Sequence, residues 1–177
     1  MGKNLSLKIY PDQILRQKAR DLLPSELVSQ ETKELILAMG ETMRENNGVG
    51  LAAPQVGVSK RIIIIEIASD NPRYPGHEPV SLLALINPKI LKRSWKKDIM
   101  EEGCLSLPGV FGLVRRSVKI KVVALDQEGK KIKFKAAGFF ARVIQHEVDH
   151  LNGVLFIDKA KEITKGKEVL ETMNQKL

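Results

Sequence analysis

Residues 138–152, GFFARVIQHEVDHLN, leave the chain little choice about its centre. The stretch reads as one helix closed by Asn152-Gly153, and residues four apart on a helix share a face. His146 and His150 therefore project one turn apart, and Phe139 and Val143 continue the same face toward the helix start. Imidazoles in an apolar stripe cost free energy unless something satisfies them. A metal ion does, because both rings can reach one ion. Glu147 lies about 100° around the helix from His146. That places it beside such an ion and not on it, where a general base can take a proton from water.

The rest of the chain supplies short elements to surround this helix. Helices are expected at about 12–22, with Ile14, Leu15 and Leu22, and at about 26–46, with Leu35, Ile36, Met39 and Met43 at helical spacing. The second should stop at Asn46-Asn47-Gly48, with Gly48 in the left-handed conformation. Strand-like runs follow at 61–67, 82–87, 89–95 and 98–105, with a Pro- and Gly-rich loop at 69–79. That loop holds His77, the third and last histidine, read as a surface residue without function. Val118, Ile120 and Val122, then Ile132, Phe134 and Ala136, alternate as two strands of a hairpin turned by DQEGK. A last helix is expected at about 160–175, through Ile163, Val169, Leu170 and Met173. The expected class is α+β: antiparallel β-sheets packed around a central metal-binding helix, with N-terminal helices and a C-terminal helix. At 177 residues, positions 1–177 are expected to form a single catalytic domain.

Two histidines leave a hydrolytic metal site one protein ligand short, since three ligands plus water is the open catalytic pattern. Cys104, in Glu-Glu-Gly-Cys-Leu-Ser at a strand end, is one candidate. Glu168 and Glu171 are the others, as in zinc endoproteases that take a glutamate from the following helix. Spacing alone leaves the choice open. As the only cysteine, Cys104 excludes an internal disulfide and fits a reducing, cytoplasmic setting. No run is apolar and long enough to span a bilayer, and Gly2 with Ser6 matches a myristoylation pattern short enough to arise by chance. Part of the net charge of +8 is concentrated between Arg115 and Lys135, where eight basic residues face Asp126 and Glu128. A solvated hairpin face accounts for them. An RNA-facing stripe would lack interleaved aromatics and could touch phosphates only, so no sequence-specific nucleic acid is expected. Finally, Asn-Asn-Gly-Val-Gly-Leu-Ala-Ala-Pro-Gln, 46–55, describes a tight loop whose one functional side chain, Gln55, can donate to a carbonyl or an oxyanion.

Together these stretches resemble the peptide deformylases, a family marked by G-φ-G-φ-A-A-x-Q, E-G-C-φ-S and Q-H-E-x-D-H, where φ is apolar. The chain reads Gly48-Val49-Gly50-Leu51-Ala52-Ala53-Pro54-Gln55, Glu102-Gly103-Cys104-Leu105-Ser106 and Gln145-His146-Glu147-Val148-Asp149-His150, in that order. The resemblance implies a hydrolase that removes the N-formyl group from N-formylmethionyl peptides and releases formate. It implies Cys104, His146 and His150 as ligands of one divalent metal ion, ferrous iron first, with zinc, nickel or cobalt able to substitute. It further implies Glu147 as the proton carrier, with the Gln55 amide and the Leu105 N–H as oxyanion donors. Val49, Gly50 and Gly103 would hold the substrate backbone, and Val143 and Ile86 would line the methionine pocket. Arg116 would contact the peptide, and Ser106, Gln145 and Asp149 would orient the ligands. Some relatives carry a substrate-facing arginine seven residues past the cysteine, where this chain has Phe111. Some members dock near the ribosomal exit tunnel through a basic C-terminal helix, which makes a transient ribosome contact a further expected partner. Here residues 158–177 hold five lysines against four acids, a poor polycation. The competing assignment is the zinc endoprotease with a downstream glutamate ligand.

Overall fold

A computed structural model describes residues 5–69 and 77–175 of the chain. Gly2 and most of the loop expected at 69–79 lie outside these described residues. In chain order the elements are α1 (Pro24–Leu27), α2 (Gln30–Glu45), β1 (Gly50–Ala52), β2 (Ile62–Ile67), β3 (Val80–Arg93), β4 (Lys97–Cys104), β5 (Leu107–Ser117), β6 (Lys119–Leu125), β7 (Lys131–Ala137), α3 (Gly138–His150), β8 (Ala160–Lys165) and α4 (Lys167–Asn174). The strands form two antiparallel sheets, ordered β1-β2-β3-β6-β7 and β4-β5-β8. Helix α3 packs on β1, β2, β3, β6 and β7 of the first sheet and on β5 of the second. Its Ala141, Ile144 and Val148 join Ile63, Ile65, Leu85 and Val122 in one core. A second core lies under α2, where Ile36, Met39 and Met43 meet Ile62, Ile64 and Ile86. Each fully buried aliphatic side chain of this kind contributes roughly 1.5–3 kcal/mol. The chain is thus α+β, with α3 clasped between sheets.

Several local expectations differ from the observed elements. The helix expected at 12–22 is only a 3₁₀ turn, Gln13–Arg16, because the backbone beyond it bonds to distant partners: Ala19 N to Leu151 O and Arg20 N to Ser59 O. The helix expected at 26–46 is divided at Ser29, whose side chain accepts from Thr32 N and caps α2. Asn47, at φ 54°, takes the left-handed position past α2 that was expected of Gly48. Gly48 is glycine for another reason: a Cβ there would lie 2.9 Å from Leu105 Cδ1. The runs at 82–87 and 89–95 are one strand, β3, bent at Asn87 (φ 50°). The Asn87 amide holds that bend by accepting from Leu22 N and donating to Leu22 O.

The helix expected at 160–175 is strand β8 followed by α4. Ile163 pairs with Gly112 of β5, and Gly166, at φ 75°, turns the chain between the two elements against the backbone of Gly109. Pairing with β5 overrides the helical spacing of the apolar residues. The hairpin is as expected, with Ile120, Val122 and Ala136 buried against α3.

Candidate active site

Helix α3 places His146 and Glu147 in the wall of a cavity of about 310 Å³ between the sheets, with His150 buried one turn further along the helix. The cavity wall includes Val49, Gly50, Gly103, Leu105, Val143 and Glu147. Gly50 belongs to β1 and Gly103 to β4, each an edge strand of its sheet. Two strand edges therefore flank the cavity, an arrangement that accepts an extended peptide by backbone pairing.

At this wall three ligand atoms converge. His146 Nε2 and His150 Nε2 are 3.2 Å apart, and Cys104 Sγ is 3.2 Å from His150 Nε2. All ligand atoms of the trio lie within 4.8 Å of one another. Tetrahedral ligation at ordinary zinc bond lengths requires N···N near ~3.3 Å and S···N near ~3.6 Å. The cluster fits a metal ion of that size. Cys104 is delivered by a register shift between Gly103 and Cys104 at the end of β4, and a Cβ at Gly103 would lie 2.7 Å from Phe111 Cε1. Glu168 and Glu171 are exposed on α4 and stand outside the cluster.

The electrostatics agree with a cation at this point. His146 Nδ1 lies 2.9 Å from Glu102 Oε2. With its proton there, Nε2 is left as the lone pair facing Cys104 and His150. Burial pulls the His146 ring down, but its hydrogen bonds to Cys104 and Glu102 outweigh burial and push it up to about 10. Positive charge is therefore favoured at this position. Burial, then the neighbouring His146 charge, holds His150 well below the usual histidine range, in the neutral form that ligates metal.

Glu147 is buried, and its Oε2 has no hydrogen-bond partner among the described residues. Burial pushes its carboxyl up to about 7, against the opposing pull of His146 and Arg116. A carboxyl near neutrality can take a proton and give it back. Gln55 follows β1 in a 3₁₀ turn, Ala53–Val56, closed by Gly57 at φ 82°. Its Oε1 accepts from Ala52 N at 2.9 Å, which aims Nε2 at Ser106 Oγ (3.2 Å) and Cys104 Sγ (3.3 Å).

Two expected substrate contacts do not reach the cavity. Ile86 is fully buried in the core beneath α2, because β3 is covered on both faces there. Arg116 is 4 % exposed and turned inward. Its Nε and Nη2 donate to Glu102 at 2.6 and 2.8 Å, and its Nη1 donates to Asp149 at 2.7 Å. Asp149 also accepts from Lys159, and Gln145 pins Ser117 through both its backbone N–H and its carbonyl. Two functional side chains were not singled out from the sequence. Glu102 gathers Arg116, Arg142 and His146 around one carboxylate. Arg142 stands one turn before His146 on the same helix face, and a charge in an otherwise buried stripe was the signal available.

The sequence profile of the polypeptide deformylase family matches residues 5–166. The peptide deformylase of Halothermothrix orenii is 47 % identical over 94 % of this chain and 98 % of its own length. That of Desulforudis audaxviator is 44 % identical over 90 % of this chain and 95 % of its own. Among solved structures, the class I type b peptide deformylase of Acinetobacter baumannii with Met-Ala-Ser bound superposes with a TM-score of 0.87 at 42 % identity, covering 90 % of this chain and 99 % of that one. The Thermotoga maritima peptide deformylase gives a TM-score of 0.79 at 38 % identity, over 90 % and 99 % of the two chains.

Proposed function

With the chain belonging to the polypeptide deformylase family, a hydrolase of N-formyl groups, we propose that Cys104, His146 and His150 hold its catalytic divalent metal and that Glu147 carries the proton. The observation behind this reading is the convergence of three ligand atoms at the wall of a cavity, beside a carboxylate oxygen with no hydrogen-bond partner among the described residues. A bound ion supplies Lewis acidity there; ferrous iron is our assignment, with zinc, nickel or cobalt as substitutes. Glu147 Oε2 takes a proton from the attacking water and returns it to the amine that departs as the formyl C–N bond breaks. The products are formate and a free N-terminus. The Gln55 amide and the Leu105 N–H donate to the oxyanion. The edges at Val49, Gly50 and Gly103 hold the N-formylmethionyl peptide in extended form, and Val143 packs on the methionine side chain. On this reading residues 1–177 work as one catalytic domain in the cytoplasm, with transient contact to the ribosome.

The test is anaerobic assay of formate release from a formyl-Met peptide, with metal content measured in parallel. Cys104→Ala is expected to lose both metal and activity, and Glu171→Ala to keep both. The reverse pattern returns the endoprotease assignment.

Gly50 gives a second expected outcome. A Cβ at this position would overlap Glu147 Oε1 and lie 2.9 Å from Glu147 Cδ. Gly50→Ala should therefore displace the carboxylate and lower kcat about 10²-fold, the usual cost of a misplacement near 1 Å. Metal content should not change. A Gly50→Ala protein with wild-type kcat would remove Gly50 from the positioning of Glu147.

A further inference from the structure

The outward face of β3, β6 and β7, away from the cavity, carries lysines that no ion pair among the described residues neutralises. Register puts Lys92 opposite Lys121, and Lys121 opposite Lys135, so three ammonium groups form one row across three strands. Lys119, Lys131 and Lys133 extend the patch along β6 and β7. The lysine ion pairs found among the described residues engage Lys8, Lys60, Lys89 and Lys159, none of these six. Like charges directly opposite one another destabilise a sheet. Edge protection explains lysines on β7, which is an edge strand. It does not explain Lys121, because β6 lies between β3 and β7.

The chain's only tryptophan follows Lys92 of this row by three residues. Trp95 is 99 % exposed in the turn between β3 and β4. Ser94 N donates to Lys119 O at 2.9 Å, and Lys119 N donates to Ser94 Oγ at 3.1 Å. The turn backbone is thus anchored to Lys119 at Ser94, the residue before Trp95, and the nearest chain neighbours of Trp95 are Arg93, Ser94, Lys96 and Lys97. A bare aromatic beside a partnerless basic surface offers phosphate contacts and a stacking platform together.

We propose that this face docks unpaired RNA, with the lysines on successive phosphates and Trp95 stacked on a base. The choice of RNA over DNA rests on the deformylase reading, since its substrate is a newly translated chain and translation takes place on an RNA particle. A bilayer surface is disfavoured because the immediate chain neighbours of Trp95, Ser94 and Lys96, are polar, and the exposed apolar residues Leu91 and Ile99 stand four positions away on either side.

Because Trp95 is unique, its fluorescence reports binding directly. The protein is titrated at rising salt with single-stranded RNA of about 12 nucleotides. Parallel titrations use a duplex of the same length, the matching single-stranded DNA, and phosphatidylcholine–phosphatidylserine vesicles. Single-stranded RNA should quench Trp95 and bind more tightly than the duplex, with the single-stranded DNA binding comparably through the same phosphate and stacking contacts. Lys121→Gln with Lys135→Gln should lower the slope of log K against log salt by about 1.4, at ~0.7 per phosphate contact. Trp95→Ala, followed with labelled RNA, should weaken binding about tenfold. Turnover of a short free formyl-Met peptide should be unchanged in all variants, because none of these side chains lines the cavity. The absence of quenching at low salt, variants that bind as wild type, tighter binding to the duplex, or response to vesicles alone would each overturn the proposal. RNA binding by a protein that releases no formate would instead overturn the reading of the cavity and leave the docking face standing.

Discussion

Glu147→Gln is expected to keep its metal and fold while kcat falls by roughly 10²–10⁴, the range a positioned acid–base group contributes. Glutamine has nearly the same shape, so the contacts around Glu147 survive. Oε2 makes no hydrogen bond that the amide would break, and burial already disfavours the charged form. A neutral isostere should therefore be tolerated where a carboxylate is not comfortable. What it cannot do is take a proton from water and hand it to the leaving amine. KM should move little, because Glu147 faces the reacting group and the strand edges at Gly50 and Gly103 hold the peptide. Parallel measurement of metal content and formate release decides the matter. A metal-loaded Glu147→Gln protein turning over at the wild-type rate would show that Glu147 carries no proton.

The parts of this site that could be read from sequence are those with fixed geometry along one element. A helix fixes the relation of His146, Glu147 and His150 wherever it packs, so the motif carries its own stereochemistry. Arg116 was harder because its direction depends on strand register. Residues 107–117 hold Pro108, Gly109 and Gly112 and do not read as a strand. Once they are seen as β5, Val110, Gly112, Val114 and Arg116 fall on one buried face, and the arginine must point inward. Ile86 failed for the opposite reason. Where a strand is covered on both sides, alternation no longer separates cavity from core. Residues 160–175 show a third limit: Ile163, Val169, Leu170 and Met173 fit helical spacing, yet the edge of β5 recruits 160–165 into its sheet. Glu102 escaped for a different reason again, since its role consists of partners contributed by β5 and α3.

Those partners make Glu102 the residue whose loss should most damage the fold. Its carboxylate is 6 % exposed and accepts from Arg116 at 2.6 and 2.8 Å, Arg142 at 2.6 Å and His146 at 2.9 Å. Burial pushes the Glu102 carboxyl up, but Arg116 and His146 outweigh it and hold the group below the usual carboxylate range. Removing the carboxylate leaves both buried guanidiniums short of a counter-charge. Asp149 still serves Arg116, and Asp98, which is partly exposed, serves Arg142. Breaking a buried pair from one side costs about 3–5 kcal/mol, so Glu102→Gln should lower Tm by roughly 6–20 °C for a chain of this size. The same substitution weakens the acceptor that holds His146 Nδ1, so metal affinity should fall about 10–100-fold. Asp98→Asn is the control: its pair with Arg142 is largely solvated on the acid's side, and the loss should stay within about 1 kcal/mol. Thermal unfolding with and without chelator, together with metal competition, separates the two effects of Glu102. A Glu102→Gln protein as stable as Asp98→Asn would mean that Asp149 and Asp98 alone balance the arginines. If its metal affinity also matched wild type, Glu102 would have no part in orienting His146.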